Sequence, residues 1–353
     1  MTALNRYPTP SARGGSCLIT GGAGFIGSEL VRLAAQQFDR VVVVDNLING
    51  KRDNLLEVLS GRVVLEVLDV RAEEAMKRLM RGVDVVFHLA CLGVRHSIHS
   101  PVENHEVNAT ATLRLLGAAM EAGVRRFVYV STSEVYGSIQ PEPPMSEKHH
   151  THPMTVYGAS KLAGESYARA YHRTHGYETV ILRPFNSYGP RCHHEGDSGE
   201  VIPKFMLRSL AGKPMVIFGD GQQTRDFTYV TDTARGILQG GLSERAVGRT
   251  INLGTGKEIA ISALAREIAS VTGQTRSAIE HHEGRPGDVI RLCADTRCAT
   301  ELLGFEPGVS LSDGLQLLLT WYRSSGKSVD ELLGSEVVRN WIATPKFETS
   351  PID

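Results

Sequence analysis

The chain has 353 residues, of which 41% are hydrophobic and 22% are charged, and its formal net charge is −1. This composition is typical of a globular protein with one large domain or two smaller ones. The near-neutral charge argues against a nucleic-acid-binding surface, and no apolar run approaches the roughly 18–20 residues of a membrane-spanning helix. We therefore expect neither nucleic acid nor a membrane as a partner.

The ends of the chain and its cysteines indicate where the protein resides. Residues 1–15 are polar and contain proline, without the apolar centre of a signal peptide, and they predict a flexible leader. The histidines at positions 149–152 and 193–194 lie in predicted loops without a matched set of four donors, so no metal site is predicted. Apart from Cys293 and Cys298, which lie near a charged loop, the cysteines have no metal-ligand spacing, and this pattern predicts a reduced, cytoplasmic protein. The five cysteines are Cys17, Cys91, Cys192, Cys293 and Cys298.

Short apolar strands alternate with amphipathic helices from residue 16 to residue 185. The strands are rich in β-branched residues and almost continuously apolar, as expected when helices cover both faces of a sheet. This alternation predicts an α/β fold with a Rossmann-type, doubly wound parallel sheet. The predicted elements, in chain order, are the strands SCLIT, RVVVVD, RVVLEVLDV, VDVVFHLA, RRFVYVST and ETVILRPF, and helices near residues 24–38, 71–81, 101–122 and 155–175.

The composition of the sequence and the length of its loops change after residue 185. Loops lengthen, glycine and proline become frequent, and helical patterns recur in VIPKFMLRSLAG, TDTARGILQGGL and ISALAREIASVTG. We assign residues 16–185 to the Rossmann domain and residues 186–330 to a smaller α/β lobe that binds the substrate. Residues 331–353 are assigned to a C-terminal tail.

A glycine-rich segment, CLITGGAGFIGSEL, joins the first strand to the first helix. In this spacing Gly21 permits a tight turn, Gly24 lets the backbone approach a pyrophosphate, and Gly27 lets the helix pack closely on the strand. The N–H groups that open the helix, at Phe25 and Ile26, favour phosphate. The pattern predicts a dinucleotide-binding loop.

The ends of the next strands indicate which dinucleotide is bound. Asp45 ends the second strand, where an acid accepts hydrogen bonds from the adenosine ribose and repels the extra phosphate of NADP, so NAD is the predicted cofactor. Asp69 ends the third strand and either binds the adenine amino group or caps the next helix. The other predicted contacts near these strand ends are Asn46, Val70, Leu89 and Ala90.

The segment TVYGASKLAGE places Tyr157 and Lys161 four residues apart, on one face of a helix. A phenol has a pKa of about 10 and is a poor base at neutral pH. A neighbouring ammonium and the positive nicotinamide ring of NAD⁺ stabilise the phenolate and lower its pKa. The pair is a candidate catalytic base, although the same spacing is common on ordinary amphipathic helices.

These motifs together resemble the extended short-chain dehydrogenase/reductase superfamily, and within it the nucleotide-sugar epimerases, dehydratases and decarboxylases. The resemblance rests on the three glycines, Asp45, VSTSEVYG, the Tyr157–Lys161 pair, RPFNSYGPR and RPGD, and extends over residues 16–323. It implies tightly held NAD⁺ and oxidation of the sugar at C4. Tyr157 then takes the C4 hydroxyl proton, Thr132 hydrogen-bonds the same oxygen, and Lys161 binds the nicotinamide ribose.

The triplet Thr132-Ser133-Glu134 bears on the step after this oxidation. Simple 4-epimerases need only the hydroxyl, and the usual dTDP-glucose 4,6-dehydratases carry Asp-Glu at the positions of Ser133 and Glu134. The triplet is similar to that of UDP-glucuronate decarboxylases, where Ser and Glu lie beside C5 and its carboxylate, although some UDP-N-acetylhexosamine 4,6-dehydratases share it. We predict decarboxylation of UDP-glucuronate to UDP-xylose or a UDP-4-keto-pentose. A 4-epimerase, and then a 4,6-dehydratase, are the alternatives.

Substrate contacts are predicted beyond the fourth strand and in the second lobe. Arg95 either clamps a sugar carboxylate with two parallel hydrogen bonds or contacts a phosphate or a nearby acid. The resemblance assigns Pro184 to the nicotinamide wall and Asn186 to the pyrophosphate. It further assigns Arg225 and Arg285 to the diphosphate, Asp288 to the nucleotide ribose, and Val201, Pro203, Lys204 and Phe218 to the segments around uracil.

The resemblance also bears on assembly and on the class of protein. Relatives pair the long helices that begin near Pro101 and Thr155 across a two-fold axis, which implies a homodimer through a four-helix bundle. A non-catalytic sensor of NAD or nucleotides is the alternative from another class. Such sensors typically lose the Tyr or the Lys, whereas Tyr157, Lys161 and Thr132 are all present here.

Overall fold

A computed structural model describes residues 14–137, 144–196, 198–284, 289–339 and 341. Its strands are β1 (Ser16–Thr20), β2 (Arg40–Asp45), β3 (Val63–Val67), β4 (Val85–His88), β5 (Arg126–Val130), β6 (Glu178–Pro184), β7 (Asn186–Tyr188), β8 (Met215–Phe218), β9 (Thr224–Tyr229), β10 (Thr250–Leu253), β11 (Glu258–Ala260), β12 (Ile279–His282) and β13 (Arg291–Leu292). Seven of them form one parallel sheet in the order β10-β6-β5-β4-β1-β2-β3. The predicted α/β fold with a Rossmann-type sheet is confirmed.

The helices connect these strands and cover the sheet. They are α1 (Phe25–Gln37), α2 (Glu73–Met80), α3 (Val94–His99), α4 (Pro101–His105), α5 (Ala111–Glu121), α6 (Val156–His175), α7 (Val201–Leu210), α8 (Val230–Leu242), α9 (Ile261–Thr272), α10 (Arg297–Leu303), α11 (Leu311–Ser324) and α12 (Val329–Leu333). A π-helical turn at Glu106–Thr110 joins α4 to α5, so the predicted long helix from Pro101 is present with one wide turn inside it. Within the described ranges, no helix is both long and apolar enough to cross a membrane.

Both faces of the main sheet are buried, which explains why its strands are apolar throughout. Cys17 and Ile19 of β1 pack on one face with α1, α8 and α10. Leu18, the residue between them, packs on the opposite face with α2, α5 and α6. Because successive side chains of a strand point to opposite faces, a strand covered on both sides has no position for a solvated residue.

The second lobe has its own apolar core, formed by α7, α9, α11 and the strands between them. Its strands are short: β9 pairs with β7, β11 and β13, and β8 pairs with β12. The main sheet also takes an edge strand, β10, from the residues predicted to form this lobe. Because the order of the sheet reverses between β1 and β4, a crevice opens outside the carboxyl ends of these strands, where ligands bind in open α/β sheets.

Candidate active site

A cleft of about 1740 Å³ lies at this edge of the sheet, between the sheet and the second lobe. Gly21, Ala90, Thr132 and Pro184 line it where β1, β4, β5 and β6 end. The second lobe contributes the opposite wall. The predicted residues that line the cleft there are Asn186, Val201, Lys204, Phe218 and Arg225.

The glycine loop has the shape that a pyrophosphate requires. A Cβ on Gly27 would lie 2.0 Å from the carbonyl oxygen of Gly21, and a Cβ on Gly21, which has φ +70°, would lie 2.7 Å from the Ala90 nitrogen. Only glycine fits both positions. Helix α1 begins after Gly24 without a capping side chain and without an acid in its first turn. Its free N–H groups and positive dipole therefore suit the phosphates of a dinucleotide.

Asp45 lines the same cleft and is held rigidly by the backbone. Its carboxylate accepts hydrogen bonds from the N–H groups of Ala23 at 3.0 Å and Leu47 at 2.9 Å. Burial raises the pKa of Asp45, and these two hydrogen bonds oppose that change. Each carboxylate oxygen keeps a lone pair for a ribose hydroxyl, so the residue fits the adenosine ribose of NAD.

Asp69 is bound by its neighbours in the chain. It accepts hydrogen bonds from the Arg71 side chain at 2.9 Å, from the Arg71 backbone at 2.8 Å and from Asn46 at 3.0 Å. The hydrogen bonds from Arg71 lower the pKa of Asp69 to about 2. The N-cap of α2 is Ala72, so the alternative in which Asp69 caps this helix is wrong. The adenine contact stays a prediction, and Asn46, Val70, Leu89 and Ala90 line the cleft as expected.

The predicted base lies at the start of α6, whose N-cap Thr155 accepts a hydrogen bond from the N–H of Gly158 at 3.0 Å. The hydroxyl of Thr132 is close enough to the Tyr157 phenol to lower its pKa through hydrogen bonding. The oxygen of Thr132 also accepts the N–H of Glu134 at 3.2 Å. A hydroxyl that accepts a hydrogen bond can also donate one, so Thr132 can donate to Tyr157.

Lys161 lies one turn further along α6 and faces the same end of β5. Its ammonium donates to the carbonyl oxygen of Val130 at 2.5 Å and lies 4.6 Å from the centre of the Tyr129 ring. Burial lowers the pKa of Lys161. This hydrogen bond fixes the ammonium at the floor of the cleft, where the sequence predicts the nicotinamide ribose.

Burial and nearby charged groups determine the pKa of Tyr157 in the protein without its cofactor. Burial raises the pKa of Tyr157 well above its ordinary value, the charges of Cys91 and Glu134 raise it further, and the Thr132 hydroxyl lowers it. Lys161 is not among the principal groups that shift it. The prediction that this ammonium and the nicotinamide ring of NAD⁺ together lower the pKa concerns the enzyme with its cofactor bound, and it stays a prediction. Bound NAD⁺ supplies a positive ring and accepts hydride.

The predicted substrate residues differ in whether they line the cleft and in what their side chains contact. Arg95 lines the cleft. Asn186 lines the cleft, and its side-chain oxygen is buried and makes no hydrogen bond to any described part of the chain. Lys204 donates to the carbonyl oxygen of Val337 at 2.8 Å. Pro203 is buried inside α7 and, among the residues placed by the structure, does not line the cleft. The predicted contacts at Arg285 and Asp288 lie outside the described residues.

The structure adds cleft residues that sequence reasoning did not single out. Cys91 follows the end of β4, and its thiol is close enough to Tyr157 and Lys161 to influence both pKa values. Glu200 immediately precedes α7 and makes no capping hydrogen bond. Burial raises the pKa of Glu200 to about 8. Glu200 gave no functional signal in the sequence, because an acid directly before a helix is the usual sign of a helix cap. Trp341 also lines the cleft and belongs to no motif, so the local sequence gave no signal for it.

Comparison with known proteins identifies the family. The model of the NAD dependent epimerase/dehydratase family matches residues 17–254. A putative UDP-glucose 4-epimerase from Methanocaldococcus jannaschii is 33% identical over 317 residues, which cover 88% of this chain and 99% of that protein. UDP-glucuronic acid decarboxylase 1 from Arabidopsis thaliana is 33% identical over 320 residues, which cover 89% of this chain and 71% of that protein.

A solved structure supports the same assignment. A variant of UDP-glucuronic acid 4-epimerase from Bacillus cereus, in complex with UDP-4-deoxy-4-fluoro-glucuronic acid and NAD, superposes with a TM-score of 0.81 at 31% identity, covering 87% of this chain and 99% of that chain. The predicted cofactor is therefore confirmed as NAD. Because the family model spans more than half of the chain, this chain belongs to the NAD dependent epimerase/dehydratase family and is an NAD-dependent enzyme of the kind that modifies nucleotide sugars.

Proposed function

We propose that this enzyme oxidises UDP-glucuronate at C4 and then decarboxylates it at C5, giving UDP-xylose or a UDP-4-keto-pentose. One observation carries the proposal: Thr132, Glu134 and Tyr157 line the same cleft, and both the Thr132 hydroxyl and the charge of Glu134 shift the pKa of the Tyr157 phenol. A hydroxyl and a carboxyl therefore flank one base. Since C5 is bonded to C4, a carboxyl beside the group that acts on C4 is within reach of the C5 substituent.

The first step belongs to Tyr157. As a phenolate it takes the proton of the C4 hydroxyl while the C4 hydride leaves for the cofactor, and a C4 ketone forms. The Thr132 hydroxyl donates a hydrogen bond to the Tyr157 oxygen, and this bond stabilises the phenolate that the reaction requires. Lys161 holds the floor of the site through its bond to the Val130 carbonyl oxygen.

The second step uses the ketone. A ketone at C4 makes the C5 carboxylate part of a β-keto acid, so the bond from C5 to the carboxylate breaks, carbon dioxide leaves and the electron pair is delocalised onto the C4 oxygen. Glu134 and Ser133 line the cleft next to Thr132, and we assign to them the roles of holding the departing group and of returning a proton to C5. Return of the hydride to C4 gives UDP-xylose, whereas release before that step gives the 4-keto sugar.

Three side chains of the cleft support a charged nucleotide sugar as the substrate. Arg95 lines the cleft and can pair with the uronate carboxylate. The buried side-chain oxygen of Asn186 lacks a partner among the described residues, and a hydroxyl or amide of the substrate would satisfy it. Arg225 lies on the same wall and suits the diphosphate.

A 4-epimerase acting on UDP-glucuronate is the second candidate. It shares the first step, after which the 4-keto sugar turns over and receives hydride on its other face. The similarity to a UDP-glucuronic acid 4-epimerase favours this candidate, and a 4,6-dehydratase ranks third. The sensor alternative has no support, because Thr132, Tyr157 and Lys161 are all present in the cleft.

Product analysis separates these reactions. Purified enzyme with UDP-glucuronate and NAD⁺ should release one carbon dioxide for each sugar consumed, and proton NMR should show a UDP-pentose or its 4-keto form. Formation of UDP-galacturonate without gas would establish the epimerase instead. Loss of the 6-hydroxyl from a neutral UDP-hexose, with no reaction of UDP-glucuronate, would establish the dehydratase.

We also propose a homodimer in which α4, α5 and α6 pair with the same helices of a second copy. Val102, Leu113 and Met120 lie along α4 and α5 with 71%, 38% and 36% of their surface exposed. Small residues at Ala159 and Ala170 are exposed on α6. An exposed apolar stripe beside a stripe of small residues suits a self-complementary contact. Light scattering at micromolar protein should give twice the mass of the chain, and a monomer would contradict the proposal.

The chemistry of the cysteines supports a reducing, cytoplasmic location. The five cysteines lie in described segments, and each is a free thiol. Burial raises the pKa of the Cys17 and Cys192 thiols, which keeps them protonated and unreactive. Free thiols of this kind are typical of the cytoplasm. Fractionation of cells that express the tagged chain tests this location, and recovery outside the cytoplasmic fraction would contradict it.

A further inference from the structure

The C-terminal segment, which comprises residues 335–339 and 341, lies against the second lobe beside the cleft. The N–H of Gly196 donates to the carbonyl oxygen of Ser335 at 2.7 Å, and Gly196 and Glu336 form a parallel bridge. The Glu336 carboxylate pairs with Arg208 of α7 at 2.9 Å. Both partners of this ion pair are largely buried, so a buried ion pair holds the segment against the lobe.

The same segment meets a predicted substrate residue. Lys204, one turn before Arg208 on α7, donates to the carbonyl oxygen of Val337 at 2.8 Å and also lines the cleft. The resemblance placed Lys204 beside the base of the nucleotide. Lys204 therefore links the backbone of the C-terminal segment to the end of the cleft where the nucleotide is predicted to bind.

Trp341 completes this contact. Its ring lies 4.5 Å from the ring of Phe218, centre to centre, at an interplanar angle of 89°. Phe218 ends β8 and is supported on another side by His282, at 6.0 Å in the same edge-to-face manner. Both Phe218 and Trp341 line the cleft. The two rings touch, which leaves no room for a base between them, so the surface they offer to a ligand is the side that faces the cleft.

The surroundings of this aromatic pair indicate the ligand class. Lys204 and Arg225 lie on the same wall of the cleft and carry positive charge, which suits a diphosphate. Aromatic rings bind the flat face of a nucleobase with little dependence on its identity. The aromatic pair of Phe218 and Trp341 suits the base of a nucleoside diphosphate. The two cations beside it suit the diphosphate of the same ligand.

We propose that the C-terminal segment is part of the substrate site, with Trp341 and Phe218 forming the wall against which the base of the nucleotide sugar packs. The inference rests on the proposed function only for the class of ligand and is independent of the fate of C5. Sequence similarity did not reveal this role, because the resemblance ends before residue 335.

Intrinsic fluorescence tests the contact directly, since the chain has two tryptophans. Trp321 lies on α11 and is not part of the described cleft lining. In Trp321→Phe, titration with UDP should produce a saturable change in the emission of Trp341. In Trp341→Phe the same titration should leave the emission of Trp321 unchanged. Absence of any change in Trp321→Phe, at UDP concentrations that calorimetry shows to be saturating, would overturn the proposal.

Affinity supplies a second measurement. Trp341→Ala should weaken UDP binding by about tenfold, the size of one base–aromatic contact, with NAD affinity unaltered. Trp341→Phe should keep most of the affinity, and Trp321→Ala is the matched control at a tryptophan outside the described cleft lining. Wild-type affinity in Trp341→Ala would overturn the proposal, and tighter binding would also overturn it by showing that the ring occupies the base position. Circular dichroism melting verifies that each variant is folded.

These measurements are separable from the test of the reaction. UDP binding requires no turnover, so failure to release carbon dioxide from UDP-glucuronate leaves the role of Trp341 intact. Conversely, normal carbon dioxide release combined with unchanged UDP affinity in Trp341→Ala removes the role of Trp341 and leaves the proposed reaction standing.

Discussion

Glu165 of α6 and Arg183 of β6 form a buried ion pair. It joins β6 to the helix that carries Tyr157 and Lys161. Arg183 donates to the Glu165 carboxylate through Nε at 2.8 Å and through Nη2 at 2.6 Å. Glu165 lies one turn after Lys161 on α6 and also accepts the hydroxyl of Ser131 at 2.6 Å. Ser131 directly precedes Thr132. The ion pair therefore sets the position of α6 relative to the ends of β5 and β6.

Glu165→Gln should lower the free energy of unfolding by about 3–5 kcal/mol, because it leaves the charge of Arg183 buried without a counter-ion. Chemical denaturation measures the loss. Glu301→Gln is the matched control, since Glu301 pairs with Arg245 at 3.4 Å on the exposed surface, where ion pairs contribute little. Equal losses in the two variants would contradict the role given to the buried pair.

The same pair makes stability depend on pH. Burial alone raises the pKa of Glu165, but its bonds to Arg183 and Ser131 bring the net pKa below the ordinary value. A carboxyl with a lowered folded-state pKa adds stability above its unfolded pKa and loses it as pH falls through the folded value. The difference in stability between the wild type and Glu165→Gln should therefore shrink on acidification below about pH 4.

Glu134→Gln should abolish carbon dioxide release while NAD stays bound. Loss of a positioned acid or base typically slows a step by about 10²–10⁴-fold. Carbon dioxide release and cofactor content measure the two parts. Tyr157→Phe is the matched comparison, because it should remove the NADH absorbance that oxidation at C4 produces, whereas Glu134→Gln should keep it. An undiminished rate of decarboxylation in Glu134→Gln would remove the role of this carboxyl.

Glu200 should control the alkaline limb of the pH profile. Burial raises the pKa of Glu200 to about 8, and its charge raises the pKa of Tyr157. As pH rises through about 8 the carboxyl ionises, opposes formation of the Tyr157 phenolate and repels a negative sugar, so kcat/KM falls. In Glu200→Gln this fall should disappear, which a pH–rate profile from pH 6 to 10 will show. An identical alkaline limb in the variant would contradict the assignment.

Stability provides an independent measurement for Glu200. Its folded-state pKa is raised, so the stability linked to this group is complete below its unfolded pKa, near 4.3, and is lost as pH rises to about 8. Glu200→Gln should therefore gain stability relative to the wild type at pH 9 but not at pH 4. Thermal melts at the two pH values measure this gain.

Asp45→Ala should allow NADP to bind. Removal of the carboxylate abolishes its repulsion of the extra phosphate and also its bonds to the ribose of NAD, so the ratio of the two affinities should move towards NADP by at least about tenfold. Calorimetric titration of each cofactor measures the ratio. Asp69→Ala is the control, because Arg71 and Asn46 occupy that carboxylate; its cofactor preference should not change. Unaltered selectivity in Asp45→Ala would contradict the role of Asp45.

Features that depend on neighbouring residues could be predicted from the sequence. The glycine loop, Asp45 at the end of β2 and the four-residue spacing of Tyr157 and Lys161 each follow from one turn, one strand or one helix, and the structure places them around the same cleft. The Rossmann sheet was predictable for the same reason, since strands buried on both faces are apolar throughout.

Features that depend on distant parts of the chain were decided only by the tertiary structure. The amino-acid sequence by itself determined the fold and the cofactor, and it predicted Tyr157 as the catalytic base. Folding decided that Lys161 bonds to the Val130 carbonyl oxygen rather than to Tyr157, that Glu200 comes close enough to influence that phenol, and that Trp341 reaches Phe218. The physical reason is that hydrogen bonding, burial and charge act through space, whereas a motif records only separation along the chain.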